Sequence, residues 1–322
     1  MLHTPHVSCC ASLRQALLQG WQQGFPLHAS PFRQMAARSG ATPRELLGLC
    51  QDLHRQGALQ AILPRWGDGL RRQRWRLAFA QTADEARLHA ALLALPGCFH
   101  VERSTAPQPG LPALWAELET LNTQALALQL QRLPHPPVAR WLAPEPAPAD
   151  TADAALHDAD DLATARQLER GLALCSRPYA DCARHIGCSE LKLLARLQAW
   201  RRTGVLADMT LKPPPTRVPQ PGMLALWTHA PATPAAVQRL QDHPGVDRVI
   251  VGPAASTAPG AVDSAWPWAL SVVLQAAPQL ALDQLRETLA HTGVRTPDFS
   301  IPLVIEQPRD QALLFQTVPA TA

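Results

Sequence analysis

The chain repeats itself, and no other feature limits its possible folds as much. Gly24–Leu59, GFPLHASPFRQMAARSGATPRELLGLCQDLHRQGAL, returns without a gap as Gly171–Leu206, GLALCSRPYADCARHIGCSELKLLARLQAWRRTGVL, 147 residues further on. Leu27/Leu174, Pro31/Pro178, Ala36/Ala183, Gly40/Gly187, Leu46/Leu193, Leu47/Leu194, Gln51/Gln198, Arg55/Arg202, Gly57/Gly204 and Leu59/Leu206 are identical, and Phe32/Tyr179 are isosteric. Two copies of one module are fused head to tail.

Each copy reads as a small helical unit. Pro31 and Pro178 suit a first helical position, where a missing N–H costs nothing. The short helix that follows ends at Gly40 or Gly187, because glycine accepts the positive φ of a helix stop. Thr42-Pro43-Arg44-Glu45 supplies an N-cap, a proline at N1 and an acidic first turn, so a second helix begins there. Ser189 and Glu190 do the same in copy two. Leu46, Leu49, Cys50 and Leu53, with Leu193, Leu194, Leu197 and Trp200 in the twin, form the apolar stripe of a packed helix. Gly57 and Gly204 close it, and a β-like run follows. Helix, tight turn, helix and strand make a winged helix-turn-helix.

Beyond that unit the pattern changes to alternating strands and helices. Arg74–Gln81, Cys98–Ser104 and Leu111–Thr120 read as strands, although Glu, Leu and Ala also allow helix in the last. Ala83–Leu95 and Thr123–Leu133 read as helices. Copy two repeats the order with strands at Met223–His229, Val246–Pro253, Trp266–Gln275 and Ile301–Glu306, and helices at Thr233–His243 and Leu280–His291. This is the ferredoxin-like βαββαβ order. The expected fold class is α+β: a tandem duplication of a winged helix-turn-helix plus a ferredoxin-like module. Boundaries fall at 13–70 and 71–141 for copy one, and at 162–214 and 215–322 for copy two. A Pro/Ala/Asp-rich linker spans 142–161, opening at Trp141 and carrying Asp158, Asp160 and Asp161 as solvated charges.

Composition excludes little. Net charge is +3, from 29 Lys+Arg against 26 Asp+Glu, a milder basic bias than dedicated nucleic-acid binders show. Lys192 and Lys212 are the only lysines, and arginine favours fixed bidentate contacts to carboxylate or phosphate. Met1–Cys10 lacks the apolar core of a signal peptide, and no run approaches the roughly 20 apolar residues of a membrane span. Seven cysteines without regular pairing fit a reducing compartment. The expected location is cytoplasmic.

Several residues bear on chemistry. Pro96-Gly97 precedes Cys98-Phe99-His100-Val101-Glu102-Arg103, and Trp266-Pro267-Trp268-Ala269-Leu270 opens a later strand. A winged helix-turn-helix followed by βαββαβ resembles the Lrp/AsnC family. GFPL…PF before the helix-turn-helix, the Pro-Gly with a His/Arg strand, and the Trp-Pro-aromatic strand resemble its sirohaem decarboxylase branch, over nearly the whole chain. That resemblance implies loss of CO2 from acetate side chains of sirohaem to give didecarboxysirohaem in haem d1 biosynthesis. Sirohaem would be the substrate, with no separate cofactor and no metal held by the protein. It further implies His100 and Arg103 as catalytic residues, and Arg248, Trp266 and Trp268 as substrate-binding residues.

The copies depart from that pattern in complementary ways. Copy one keeps His100 and Arg103, but its third strand opens Leu111-Pro112-Ala113. Copy two keeps Trp266-Pro267-Trp268, but Arg248 stands where a histidine is expected and Gln275 replaces the family's second histidine. Three arrangements follow: a site shared between halves in an internal pseudo-dimer, a subunit needing related partner subunits, or a partly degenerate subunit. A bland reading accompanies each residue. His100 can be an ordinary strand residue, Arg103 and Arg248 solvated charges, and Trp266 and Trp268 core residues on one strand face. Cys175, Cys182, His185 and Cys188 lack a CxxC and fall in the helix-turn-helix core pattern, so buried structural cysteines are expected rather than a metal site. The alternative function is an Lrp/AsnC-type DNA-binding regulator. Thr42, Pro43 and Arg44 in copy one, against Ser189, Glu190 and Lys192 in copy two, are a thin and mismatched reading set for it.

Overall fold

The computed structural model describes residues 13–14, 17, 24–142, 156, 158–214, 219–227, 233–252, 268–275, 287, 290–291, 299–309 and 312–316. Trp266, most of the helix expected over Leu280–His291 and most of the linker lie outside the described residues. The chain divides into two compact units. They sort the modules by type rather than by copy: one unites both helix-turn-helix segments, the other both α+β segments.

In the first unit, α1 (Pro31–Ser39) stops at Gly40, whose φ of 69° is left-handed and whose N–H donates to the Ala36 carbonyl. A full capping box between Thr42 and Glu45 opens α2 (Pro43–Arg55), which buries Leu46, Cys50 and Leu53. Strand β1 (Ala61–Trp66) follows. In copy two, α5 (Ala159–Glu169) precedes α6 (Pro178–His185) and α7 (Glu190–Arg202), and β6 (Leu206–Lys212) ends the segment. Ser189 caps α7, accepting from the Lys192 N–H.

Among the described residues the two wing strands make no pairing within their own copies. They pair with each other, antiparallel, with Leu63 opposite Thr210. Those two positions are equivalent under the 147-residue repeat, so a local two-fold passes between them, as in an isologous dimer. Two isolated bridges obey the same symmetry: Phe25 with Met209, and Leu172 with Ile62. Phe25 packs on Phe32 within copy one and on Tyr179 of copy two, and the second contact ties the copies further.

The linker expectation changes at both ends. Trp141 lies in strand β5 (Ala139–Leu142) and is buried, because its indole faces a core that composition alone does not reveal. Asp158 N-caps α5, accepting from the Asp160 N–H. Asp160 and Asp161 pair with Arg196, and Asp160 also with Lys192. These carboxylates start a helix and anchor α7 rather than solvating a tether.

The second unit carries a single eight-stranded antiparallel sheet. Its first half runs β2 (Gln73–Phe79), α3 (Glu85–Ala94), β3 (Cys98–Ser104), β4 (Leu114–Thr120), α4 (Thr123–Leu130) and β5. Its second half runs β7 (Gln220–Trp227), α8 (Pro234–Gln241), β8 (Val246–Val251), β9 (Leu270–Gln275) and β10 (Phe299–Glu306). Strand order is β5-β2-β4-β3-β10-β7-β9-β8. Each half has the ferredoxin-like arrangement, and β3 and β10 join the halves with Ser104 opposite Leu303.

Alternation along each strand separates a helix-side interior in each half, the second built on Ala225, Leu240, Val246, Leu270, Val272 and Leu274, from one on the opposite face. Trp75, Leu77, Phe79, Val101, Leu114, Ala116 and Leu118 pack with Leu88, Leu92 and Leu126 of the helices. The opposite face gathers Ala78, Trp115, Ala139, Trp141, Leu224, Leu226, Ile250, Trp268, Val273, Ile301, Leu303 and Ile305 into another core. That core draws on both edge strands, β5 and β8. The sheet therefore curls, closing its helix-free face on itself.

Candidate active site

On the helix-free face of the first half, the apolar alternation is interrupted by charge. Strand β2 places Arg74 and Arg76 there, β4 places Glu117 and Glu119, and β3 places His100 and Glu102. A bulge between Cys98 and His100 turns His100 onto this face while Cys98 stays in the helix-side core. All seven residues of β4 are buried, because the curled sheet covers both of its faces.

Arg248 completes the group from the other half of the chain. In the strand ladder β8 lies four strands from β3, roughly 19 Å along a flat sheet. Curling brings its guanidinium to 2.9 Å from His100 Nε2. The same guanidinium donates to Glu102 Oε1 and to Glu117 Oε1. Arg76 donates to Glu102 Oε2 at 2.5 Å and to Glu117 Oε1 at 2.9 Å. His100 Nε2 also lies 2.9 Å from Glu102 Oε1. Two guanidinium groups, two carboxylates and one imidazole thus form a closed network.

Its burial is nearly complete: Glu102 is 0% exposed, Arg76 1%, His100 5% and Glu117 6%, while the Arg248 side chain is 23% exposed. Burial opposes ionisation of Glu102, but the Arg76 and Arg248 guanidinium groups outweigh it and hold the carboxyl well below the usual range. Glu117 is lowered by the same balance, with Arg248 contributing more than Arg76. Burial works against the charge on Arg248, and Glu117 and Glu102 raise its pKa in spite of it. Buried charges persist where they are paired this densely.

A cavity of about 210 Å³ opens beside the network, lined by Arg74, Phe99, His100, Glu117, Arg248 and Arg309, among others. Arg74 lies over the Phe99 ring at 5.1 Å and pairs with Glu119. Arg309 reaches back to the carbonyls of Leu93, Leu95 and Cys98 and so satisfies the end of α3. Arg248 Nε is buried without a hydrogen-bond partner among the described residues. It is a buried donor whose capacity the described residues leave unused.

The structure unites two of the residues expected from sequence, His100 and Arg248, and separates the others. Arg103 sits one residue beyond Glu102 and alternates to the opposite face, half-buried, away from His100. A catalytic role beside His100 does not fit that direction. Trp268 is buried in the helix-free core, so its indole packs rather than facing the cavity. Trp266 lies outside the described residues. Sequence reasoning does not single out Arg76, Glu102 and Glu117. Their trace in the chain is Arg74-Trp-Arg76, His100-Val-Glu102 and Glu117-Leu-Glu119, charges at period two that alternate with apolar residues.

Of the cysteine set, Cys182 is buried and its thiol is pushed up to about 12 by burial. Cys175 and Cys188 are only half-buried and His185 is mostly exposed, so the buried-core expectation holds for Cys182 alone. No group of His, Cys, Asp and Glu among the described residues is arranged to hold a metal ion. No helix among them is long and apolar enough to cross a membrane.

Comparison with known proteins bears on this geometry. Residues 14–59 and 166–206 match the family model of the siroheme decarboxylase NirDL-like HTH domain. The whole chain resembles the crystal structure of the siroheme decarboxylase NirDL at 17% identity, covering 90% of each chain with a TM-score of 0.60. It resembles the same enzyme in co-complex with an iron-uroporphyrin III analogue at 17% identity, covering 94% of each chain with a TM-score of 0.63. No curated protein sequence matches significantly. The resemblance drawn from the repeated stretch is borne out, since both of its copies are helix-turn-helix segments of the NirDL-like type.

Proposed function

We propose, from two NirDL-like helix-turn-helix segments on a chain with the fold of that enzyme, that this protein is a sirohaem decarboxylase. It would remove CO2 from acetate arms of sirohaem on the route to haem d1. The observation that carries the reading is the joining of His100 and Arg248, one from each half, at one cavity. A tetrapyrrole bearing many carboxylates calls for arginines, and the cavity wall supplies them.

The reaction converts a ring-bound CH2–COO⁻ and one proton into a ring-bound CH3 and CO2. The C–C bond breaks, its electron pair passes into the conjugated macrocycle, and a proton is then delivered to the arm carbon. The substrate is its own electron sink, so no separate cofactor is required. Arg248, whose side chain is partly exposed at the cavity, would align the departing carboxylate. His100 would supply the proton, a role suited to imidazole chemistry near neutral pH. A cavity of about 210 Å³ is smaller than the roughly 300–1,000 Å³ of whole small-molecule sites. It therefore suits one acid arm, not the entire ring.

Fusion of two copies into an internal pseudo-dimer supports a shared site, because the continuous sheet lets one half furnish Arg248 to the other. Among the described residues the second half lacks its own set of charged residues, which is consistent with a chain that works alongside related subunits. The regulator reading is weaker. Lys192 and Arg196 of α7, which a recognition helix would turn to DNA, are paired with Asp160 and Asp161. Titration of the purified protein with sirohaem, followed by visible absorbance and by mass analysis of the tetrapyrrole, tests the proposal. A spectral shift with loss of CO2 is expected. No shift, set beside tight and salt-dependent DNA binding, would favour the regulator instead.

A further inference from the structure

We infer that Glu102 is a positioning residue for His100: it holds the imidazole with Nε2 protonated and leaves Nδ1 as the nitrogen that transfers the proton. The inference deepens the decarboxylase reading and rests on it for its catalytic consequence, but its structural core stands on geometry alone.

Every contact of the ring within the network is made at Nε2. Glu102 Oε1 accepts there at 2.9 Å, and Arg248 Nη2 approaches the same atom at 2.9 Å. Among the described residues Nδ1 has no hydrogen-bond partner. The two neighbours ask for opposite tautomers. A carboxylate wants a proton on Nε2, whereas a guanidinium N–H wants a lone pair there. Glu102 prevails because Arg248 Nη2 has another acceptor, Glu102 Oε1 itself, and Arg248 Nη1 is met by Glu117. Arg76, from β2, neutralises both carboxylates from the far side.

With Nε2–H held by Glu102, the imidazolium carries its transferable proton on Nδ1. After transfer the neutral ring keeps the same hydrogen bond, so the partner serves both states. The opposite tautomer could only donate from a neutral ring, leaving an imidazolate, a far poorer acid.

The second half of the chain argues that this arrangement is not needed for folding. There the same strand crossing is made with Leu224, Ile250 and Val273 at the places of Arg76, Glu102 and Glu117. A buried ionic network of this kind is often replaceable by apolar residues without loss of stability. Its presence around the histidine, and absence from the twin, points to service of the histidine.

The test is ¹⁵N NMR of protein labelled at histidine, without substrate, with His100 assigned by its loss in His100→Gln. Wild-type protein should show Nε2 protonated and Nδ1 unprotonated in the neutral ring; the reverse overturns the inference and requires no variant. In Glu102→Ile, which carries the twin's residue, Arg248 becomes the remaining partner at Nε2, so the two nitrogens should exchange their shifts. An unchanged tautomer in that variant, or in Glu102→Ala should the isoleucine variant not fold, also overturns it, because neither side chain offers an acceptor. Turnover of sirohaem by Glu102→Ile should fall by about 10²–10⁴-fold in kcat with KM little changed, the range of the general-acid step that the carboxylate serves. Should the tautomer respond as stated while wild-type protein leaves sirohaem intact, the decarboxylase reading fails and the positioning of His100 stands.

Discussion

In β3 and β4 of the first α+β half, His100 faces Glu117 across the ladder, and a bulge separates it from Cys98. In β8 and β9 of the second half, Arg248 faces Val273, and a bulge in the same place separates it from Val246. The backbone device is duplicated; the chemistry is not. Around His100 the neighbours are Arg76, Glu102 and Glu117, and around Arg248 their counterparts are Leu224, Ile250 and Val273, which sit in an apolar core. One fold thus tolerates either filling. The comparison shows what the strand pair needs, a bulge that turns one side chain inward. The Arg76, Glu102 and Glu117 charges are an addition that only the first half carries at these places.

Four changes would break or sharpen this comparison. His100→Ala should have the largest effect, lowering decarboxylation by about 10²–10⁴-fold while sirohaem binding is retained, as expected for loss of a proton donor. Single-turnover rates and absorbance titrations on the same sample read both quantities. If turnover survives with the fold intact, the charged half is not the catalytic half. Arg248→Leu removes one cation from the network and strands part of the charge on Glu102 and Glu117. Breaking a buried pair costs about 3–5 kcal/mol, and the low end is expected because Arg76 still contacts both carboxylates. Urea melts measure it, and sirohaem binding should weaken in parallel.

The third change is acid. Glu102 and Glu117 have lowered pKa values in the folded protein, against about 4.3 for an unfolded glutamate. The unfolded chain therefore binds more protons between those values. The stability they contribute is present above about pH 4.3 and lost as pH falls through the folded values. Melting temperature should decline below about pH 4, and replacing the network with the twin's apolar residues should shallow that decline. The smallest effect is expected in the other unit. Arg65 pairs with Asp208 across the wing strands at 2.7 Å but is about half exposed. Arg65→Ala should cost about 0.2–1 kcal/mol, less at high salt. A larger loss in thermal melts would mean that the wing pairing depends on that ion pair.

Much of this is legible in the residues themselves. The helix-turn-helix elements follow from local rules, and Thr42, Glu45, Pro43, Gly40 and Ser189 do in the fold what their residue types suggest. The strand and helix order of the α+β halves follows from periodicity. His100 stands out through the resemblance to the sirohaem decarboxylase branch, and Arg248 because it occupies the corresponding place in the second half. What stays hidden depends on how distant strands meet. Trp141 reads as the head of a linker because its neighbours are Pro and Ala, yet it belongs to β5. The wing strands read as separate because a sequence does not say which edge a strand will find. Glu102 and Glu117 do not stand out, since strand alternation marks two faces without saying that both will be buried. Arg103 gains its weight from the resemblance, which expects an arginine on the histidine's strand, and the pleat sends it the other way.

The central claim is that the network is dispensable for the fold and indispensable for the chemistry. One measurement addresses both parts: sirohaem turnover and denaturant stability of a variant carrying Arg76→Leu, Glu102→Ile, Glu117→Val and Arg248→Leu, compared with wild type under single-turnover conditions. The account predicts a folded protein of wild-type stability or better, by up to about 1–4 kcal/mol where apolar packing replaces a buried ionic network. It predicts at the same time no detectable conversion of sirohaem. A folded variant that still releases CO2 at the wild-type rate would contradict it.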